Sequence, residues 1–181
     1  MKDLAIYKGR RYVDAAFLQM TLQIKKFIVE DITFITVLKG GLYTSFNVLK
    51  NLVLPETTIL GYIGVSSYKD STSAKKNVEV TYSADLEDSI LKDRNVWIID
   101  DICDTGKTLD TVIGMIEAYH PKTIRTAVLI DKKTIREINH FPKPDVVGFE
   151  CLDNPFFLGC GMGLGEKYRT LRELYEYKGK V

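Results

Sequence analysis

The sequence predicts an α/β protein in which a central parallel sheet is flanked by helices. Two strand–turn–helix units lead to this prediction. In one, the apolar run at 96–99 ends in acidic residues, and apolar residues then recur at helical spacing. In the other, a run rich in β-branched and aromatic residues at 33–38 ends in two glycines before a second helical pattern. Apolar runs without polar alternation are typical of strands covered on both faces, as in parallel sheets.

The remaining elements follow from local patterns along the chain. Apolar residues between 14 and 29 lie on one helical face, and Asp14 is expected to cap that helix. The small polar residues at 66–77 predict a mobile hairpin loop between two strands. Besides the two strands above, strands are expected at 57–65, 78–82, 126–130 and 145–150.

Composition limits the class of protein. The 181 residues are 45% hydrophobic and 27% charged, which is ordinary for one soluble globular domain. The net charge of +1 gives no electrostatic basis for binding nucleic acid, and no apolar run is long enough to span a membrane. The N-terminus lacks an apolar signal region, and the three cysteines include no Cys-x-x-Cys pair. We therefore expect a single cytoplasmic domain over residues 1–181, with reduced thiols.

The acidic turn after the strand at 96–99 is the first candidate functional site. It contains Asp100 and Asp101, then Asp104, and then Thr-Gly-Lys-Thr at 105–108. A turn that opens a helix offers unpaired N–H groups and the positive end of the helix dipole, which suits a phosphate group. A nucleoside-triphosphate P-loop would need glycine where this chain has Asp101, so that interpretation fails.

Residues 96–109 closely resemble the ribose-phosphate motif of type I phosphoribosyltransferases, in which an apolar strand, two acids and Asp-Thr-Gly-Lys-Thr follow one another. The resemblance implies the type I phosphoribosyltransferase fold, with a core over about 14–150, a long flexible hairpin loop and a small hood. The hood would comprise 151–181, with the N-terminal segment as a further candidate member. The family transfers ribose 5-phosphate from 5-phosphoribosyl 1-pyrophosphate to a nitrogenous base.

The resemblance also assigns roles within the motif. Asp100 and Asp101 would bind the ribose hydroxyls, directly or through Mg²⁺, and are the implied metal ligands. Asp104 would be the catalytic proton acceptor, near N7 of a purine. The 5′-phosphate would be held by Thr105, Gly106, Lys107 and Thr108.

A second set of residues resembles the pyrophosphate site of the hypoxanthine-guanine branch of this family. The turn at 39–41 matches its Leu-Lys-Gly-Gly loop, in which the peptide corresponding to Leu38–Lys39 is often cis. Residues 66–68 match the start of a catalytic lid, and Arg136 matches a basic residue near the pyrophosphate. The implied pyrophosphate ligands are Lys39, Gly40, Gly41, Ser67, Tyr68 and Arg169.

The base site is implied by the same resemblance. Lys132 matches a lysine that donates a hydrogen bond to the exocyclic oxygen of a 6-oxopurine, and Phe156 or Phe157 would stack on the purine ring. The chain then departs from the family pattern. Gly163 stands where a metal-binding aspartate is expected, and Glu166 or water would replace that ligand.

The resemblance favours hypoxanthine or guanine as the acceptor base, with Mg²⁺ as cofactor, in purine salvage. Two alternatives stay open. The altered hood between 154 and 164 is compatible with another base, xanthine or a pyrimidine. The missing carboxylate at Gly163 favours a non-catalytic, nucleotide-sensing regulator, whereas the intact Asp104 disfavours it. The family also implies a homodimer or a homotetramer.

Overall fold

The structure, a computed structural model, describes residues 3–69, 76–83, 86–135 and 143–179, with the backbone alone at 66–69 and 76–83. None of the helices in these ranges is long and apolar enough to cross a membrane. In chain order the elements are β1 (Leu4–Lys8), α1 (Arg10–Lys25), β2 (Ile32–Leu38), α2 (Gly41–Leu49), β3 (Ile59–Lys69), β4 (Lys76–Ser83), α3 (Asp88–Leu91), β5 (Asn95–Cys103), α4 (Lys107–Glu117), β6 (Thr123–Lys132), β7 (Val146–Cys151), β8 (Phe156–Leu158) and β9 (Leu174–Tyr177).

The central sheet has the strand order β4-β3-β2-β5-β6-β7. Neighbouring strands from β3 to β7 are parallel, and β4 alone runs antiparallel, beside β3. The sheet is covered on both faces, which explains the continuous apolar runs of β2 and β5. The predicted α/β fold with a central parallel sheet flanked by helices is therefore confirmed.

The side chains of β5 alternate between two hydrophobic layers. Trp97 and Ile99 belong to the layer that includes residues of α1 and α2. Val96 and Ile98 face the other layer, where they are packed with the apolar side of α4. Because successive residues of a strand point to opposite faces, one short run of four residues supplies both cores.

The first helix begins earlier than its sequence pattern indicated. It starts at Arg10, with Gly9 at the N-cap position, so the prediction that Asp14 caps it is wrong. Asp14 instead lies in the first turns of α1, where its carboxylate is 3.6 Å from Nε of Arg10. The exposed arginines at the start of α1 carry no apolar signal, which is why the periodicity began only after them.

Several strand boundaries also differ from the predictions, and two of these differences affect the candidate site. β3 and β4 pair as far as Lys69 and Lys76, so the expected loop at 66–77 is shortened at both ends, and its remainder at 70–75 lies outside the described residues. β5 continues to Cys103 in register with β6, so Asp100 and Asp101 lie inside the strand rather than after it. The apolar pattern of this strand ends at its first charged residue, but the hydrogen bonding between strands continues beyond that residue.

A second, three-stranded antiparallel sheet lies beside the first, with the order β1-β9-β8. Leu4 and Phe156 both pair with Tyr177, so the N-terminal strand and two C-terminal strands share one sheet. We call this sheet and the connection 159–173 the hood. The division of the chain into a single domain with these parts stays a prediction.

Candidate active site

The candidate site lies where the order of the central strands reverses. From β2 the chain goes through α2 to β3 on one side, whereas from β5 it goes through α4 to β6 on the other. β2 and β5 are neighbours, so their carboxyl ends diverge into two helices and leave a crevice between them. Crevices of this kind are where open α/β sheets bind their ligands.

The turn after β5 forms the wall of one cavity in this crevice. Gly106 has φ +96° and stands at the N-cap position of α4. That left-handed backbone is accessible to glycine at little cost, so the turn can bring N–H groups of the helix start to one point. The cavity measures about 270 Å³, and its lining includes Gly40, Asp100, Asp101, Asp104, Thr105, Gly106 and Thr108.

One member of the predicted phosphate turn contributes differently. Lys107 is the first residue of α4, and its backbone N–H donates to Oγ1 of Thr105 at 3.4 Å. It is absent from the lining of the cavity formed by the described residues. The structure thus forms the turn predicted from sequence. Within it, Lys107 contributes its backbone N–H at the start of α4.

Asp100 and Asp101 are two adjacent, buried carboxyl groups at the floor of this cavity. They are 6% and 8% exposed, and the backbone N–H of Asp101 donates to Oδ1 of Asp100 at 2.8 Å. Burial and the neighbouring Asp101 raise the pKa of Asp100 well above its usual range, and burial also raises the pKa of Asp101. Ionised together, these groups repel each other, so a cation beside them is favourable.

The donor set suits Mg²⁺ in particular. Among the described residues no three His, Cys, Asp or Glu side chains are grouped to hold a metal ion. Mg²⁺ is commonly bound by one or two carboxylates, with substrate phosphates and water completing its shell. Asp100 and Asp101 therefore fit a magnesium ion that is shared with a phosphorylated ligand.

The glycine turn after β2 packs directly against this acidic pair. The Leu38–Lys39 peptide is cis, as the resemblance implied. A side chain at Gly40 would overlap the carboxylate of Asp101. A Cβ at Gly41 would lie 2.7 Å from the carbonyl oxygen of Ile99. Glycine is therefore needed at both positions for the backbone of this turn to approach β5.

Arg169 reaches the same region from the hood. Its guanidinium donates to the carbonyl oxygen of Gly161 at 2.9 Å, and its Nε lies 3.5 Å from Oε2 of Glu166. Glu166 also receives a hydrogen bond from Nζ of Lys39 at 3.2 Å. The structure thus brings Lys39 and Arg169, two of the predicted pyrophosphate ligands, to one carboxylate.

The glycine at 163 is explained by the position of Arg169. A Cβ at Gly163 would lie 2.8 Å from Cγ of Arg169 and 2.8 Å from the carbonyl oxygen of Lys167. The aspartate expected from the family pattern would need that space. The path of the Arg169 side chain across the hood therefore leaves no room for an aspartate at this position.

A second cavity, of about 230 Å³, adjoins the first and lies beneath the hood. Asp101 and Asp104 line both cavities. The second is also lined by Lys132, Phe156, Phe157, Met162, Gly163 and Arg169. Its walls thus combine aromatic and apolar surface with a few charged groups, which is typical of a site for a small planar ligand.

Lys132 is the buried cation of this second cavity. It is 6% exposed, and its Nζ donates to Oδ1 of Asn154 at 2.9 Å and lies 3.3 Å from Oδ1 of Asp104. The ring of Phe157 is 5.9 Å away, within the range of a cation–π contact. Phe157 is buried against Tyr7 of the N-terminal strand, whereas Phe156 is more than a third exposed.

Some predicted residues lie outside the described side chains, and others were missed. The backbone of Ser67 and Tyr68 pairs with β4, but their side chains are not described, and Arg136 lies outside the described residues. Asn154 and Glu166 contact predicted site residues, yet neither was assigned such a contact from sequence. The altered hood between 154 and 164 was the available signal for Asn154.

Comparison with known proteins identifies the family of this chain. The family model for the phosphoribosyl transferase domain matches residues 14–161. The human hypoxanthine-guanine phosphoribosyltransferase is 34% identical over 153 residues, which cover 79% of this chain and 66% of the human protein. The chain thus spans slightly less than two thirds of the length of that relative.

Solved structures show the same fold. A hypoxanthine phosphoribosyltransferase from Staphylococcus aureus superposes with a TM-score of 0.84 at 20% identity, covering 98% of this chain and 93% of that one. A hypoxanthine-guanine phosphoribosyltransferase from Bacillus anthracis gives a TM-score of 0.79 at 24% identity, covering 98% of both chains. Together with the family match and the crevice between β2 and β5, these findings establish that the chain belongs to the phosphoribosyl transferase family.

Proposed function

We propose that the chain transfers ribose 5-phosphate from 5-phosphoribosyl 1-pyrophosphate to hypoxanthine or guanine, giving the nucleoside monophosphate and pyrophosphate for purine salvage. The observation that carries this proposal is the junction of the two cavities. Asp104 borders both of them and contacts Lys132 in the second. The turn at 105–108 on one side and the aromatic cavity on the other support a position for the reacting carbon between them, next to Asp101 and Asp104.

The leaving pyrophosphate needs positive charge and N–H donors. Lys39 supplies positive charge from the turn after β2, and Arg169 supplies it from the hood. The glycines at 40 and 41 let the backbone of that turn come close to the pyrophosphate. Bound Mg²⁺ would neutralise pyrophosphate charge and orient the ribose hydroxyls at Asp100 and Asp101. The lid that begins at Ser67 and Tyr68 would close over these groups and exclude water.

The ribosyl carbon gains cationic character as its bond to pyrophosphate breaks. Asp100 and Asp101 are close to the position where that charge develops, because the ribose is held between the phosphate turn and the base. Their carboxylates therefore stabilise the transition state electrostatically and bind the ribose hydroxyls, which fixes the sugar for attack.

The attacking purine must lose a proton, and its ring must be oriented. Asp104 accepts a proton from N7, while Lys132 donates a hydrogen bond to the exocyclic oxygen at position 6. Phe156 or Phe157 stacks on the ring. The ammonium group of Lys132 can donate hydrogen bonds but cannot accept them. It therefore favours a base with an oxygen at position 6 over one with an amino group there.

Pyrophosphate release from phosphoribosyl pyrophosphate and Mg²⁺ tests this function. The assay is run separately with hypoxanthine, guanine, xanthine, adenine, uracil and orotate. Release with hypoxanthine or guanine is the expected result. Release only with xanthine or a pyrimidine would replace the substrate assignment. Tight binding of phosphoribosyl pyrophosphate without release from any base would favour the regulator instead.

We also propose that the protein forms a homodimer or homotetramer in the cytoplasm. An apolar face on α2 and β3 supports self-association: Leu42, Phe46 and Leu60 are 59%, 65% and 63% exposed around a groove of about 460 Å³. A two-fold interface brings like charges together, so a face with Lys50 as its only charged lining residue in the described chain suits a second copy. Light scattering on Phe46→Glu, expected to shift the mass towards monomer, tests this.

A further inference from the structure

Glu166 contacts both of the side chains that the proposed reaction assigns to pyrophosphate. Its Oε2 lies 3.2 Å from Nζ of Lys39 and 3.5 Å from Nε of Arg169. Lys39 follows β2, whereas Arg169 lies in the hood, so one oxygen joins two cations from separate parts of the fold. A phosphate oxygen bound between the same two cations would take a similar place.

A tight turn holds Glu166 in this position. Leu164 and Lys167 exchange backbone hydrogen bonds of 3.2 and 3.1 Å, and they enclose Gly165 and Glu166. The enclosed residues have φ +53° and +67°, as in a type I′ turn. That turn favours Gly, Asn or Asp at both positions, so Glu166 occupies left-handed backbone that its Cβ disfavours. An unfavourable backbone at a residue that contacts Arg169, which lines the second cavity, points to a role in function.

The contacts made by Glu166 are suited to displacement. The side chains of Lys39 and Glu166 are 57% and 63% exposed. Ion pairs in such positions are weak, because water screens them and ordering two long side chains costs entropy. Pyrophosphate carries more charge and more acceptor oxygens than a carboxylate, so it can take Lys39 and Arg169 from Glu166. Lys39 and Arg169 lower the pKa of Glu166, which keeps this carboxylate ionised.

We propose that Glu166 is an internal counter-anion that occupies the pyrophosphate cations between turnovers and competes with pyrophosphate for them. This inference rests on the proposed function, because it takes Lys39 and Arg169 as pyrophosphate ligands. The carboxylate returns to these cations as the product leaves. Glu166 thereby weakens the binding of pyrophosphate and speeds its release.

Glu166→Gln tests this inference, because it keeps the shape of the side chain and removes its charge. The Kd of inorganic pyrophosphate, measured by calorimetry with and without Mg²⁺, is expected to fall by about three- to tenfold. Pyrophosphate should also become a stronger product inhibitor. Glu166→Asp, which keeps the charge on a shorter side chain, should stay closer to the wild-type Kd than Glu166→Gln.

Glu150→Gln is the matched control. Glu150 also contacts two cations, Lys133 at 3.2 Å and Lys143 at 3.1 Å, but neither of these lysines is a proposed pyrophosphate ligand. Glu150→Gln removes one negative charge, as Glu166→Gln does, but the Kd of pyrophosphate should not change.

The outcomes separate this inference from the function on which it rests. If Glu166→Gln binds pyrophosphate as the wild type does, only the counter-anion role is overturned. Weaker binding by Glu166→Gln would also overturn it, and would show that Glu166 assists the ligand. If wild type and variants all fail to bind pyrophosphate, with or without Mg²⁺, both the inference and the proposed function are overturned.

Discussion

Nζ of Lys132 lies 3.3 Å from Oδ1 of Asp104, although the two residues come from different strand ends of the central sheet. The lysine is 8% exposed at its side chain and the aspartate 46%, so the pair has one buried and one open member. In the proposed reaction, a purine would meet an accessible carboxylate at Asp104 and a hydrogen-bond donor at Lys132 that Asn154 already holds in place. Four predictions follow from this arrangement and from the surrounding site.

Asp104→Asn should lose most of the turnover while phosphoribosyl pyrophosphate still binds. The amide preserves size and polarity but cannot accept the proton from N7, and general-base contributions are typically about 10²–10⁴ in rate. Steady-state turnover and direct titration of phosphoribosyl pyrophosphate measure the two effects separately. Near-normal turnover in this variant would rule out the role of Asp104 as base.

Lys132→Ala should weaken binding of the base more than binding of phosphoribosyl pyrophosphate. Hydrogen bonds to charged groups contribute about 1.5–3 kcal/mol, which is a tenfold to hundredfold change in affinity for the purine. Lys133→Ala is the control, because Lys133 is exposed and contacts Glu150 instead. Equal weakening of both ligands in Lys132→Ala would contradict the assignment.

Asp100→Asn should stabilise the protein without Mg²⁺ and abolish most activity. The pKa of Asp100 is raised in the folded state from its ordinary value of 3.8. The folded state therefore holds a proton that the unfolded chain has lost, so stability falls as pH rises from about 3.8 through the folded pKa. The Tm advantage of Asp100→Asn should be small near pH 4 and grow towards pH 7, as thermal unfolding scans would show.

Mg²⁺ and a surface variant provide the controls for that experiment. Mg²⁺ together with phosphoribosyl pyrophosphate should raise the Tm of the wild type more than that of Asp100→Asn, because a ligand stabilises the state that binds it. The exposed Asp110 in the first turn of α4 offers a matched change. Asp110→Asn should not increase Tm, since a negative charge there is favourable to the helix dipole. A Tm advantage of Asp100→Asn that is independent of pH would contradict the prediction.

Gly163→Ala should weaken pyrophosphate binding through Arg169. The added Cβ would lie 2.8 Å from Cγ of Arg169, and overpacking of this kind typically costs about 1–3 kcal/mol. Gly114→Ala is the matched control, since its Cβ meets no atom within 4 Å on the exposed side of α4. That control should leave binding unchanged and add about 0.5–1 kcal/mol to the free energy of unfolding. Unchanged pyrophosphate titrations for Gly163→Ala would mean that Arg169 does not depend on the glycine.

Sequence was informative where structure is local. The apolar run at 96–99 reflects burial of β5 on both faces of the sheet, which predicts a strand. The spacing of Leu109, Val112 and Ile116 reflects burial of one side of α4, which predicts a helix. The glycine turn after β2 and the turn at 105–108 were predicted from the small and polar residues that follow each strand, together with the family resemblance. Each of these features is encoded within about a dozen residues.

Contacts between distant segments could not be predicted in this way. Lys39 and Glu166 are separated by 127 positions, and nothing in either local pattern indicates that their side chains meet. The family resemblance made the N-terminal segment a candidate member of the hood, but no local pattern indicates that Leu4 pairs with Tyr177, because β1 and β9 are short and only partly buried. Asn154 accepts a hydrogen bond from Lys132, 22 positions away, and this contact depends on the backbone path of the hood rather than on periodicity.

The sheet that joins β1, β9 and β8 has a consequence for biosynthesis. Phe157, which lines the base cavity, lies on β8, and β8 pairs only with β9 among the described strands, while β9 pairs in turn with β1. The turn at 105–108 and helix α4 lie earlier in the chain and can fold while translation continues. The second cavity includes Phe157 of β8, which pairs with β9, so a nascent chain completes this cavity only after residue 177 has left the ribosome.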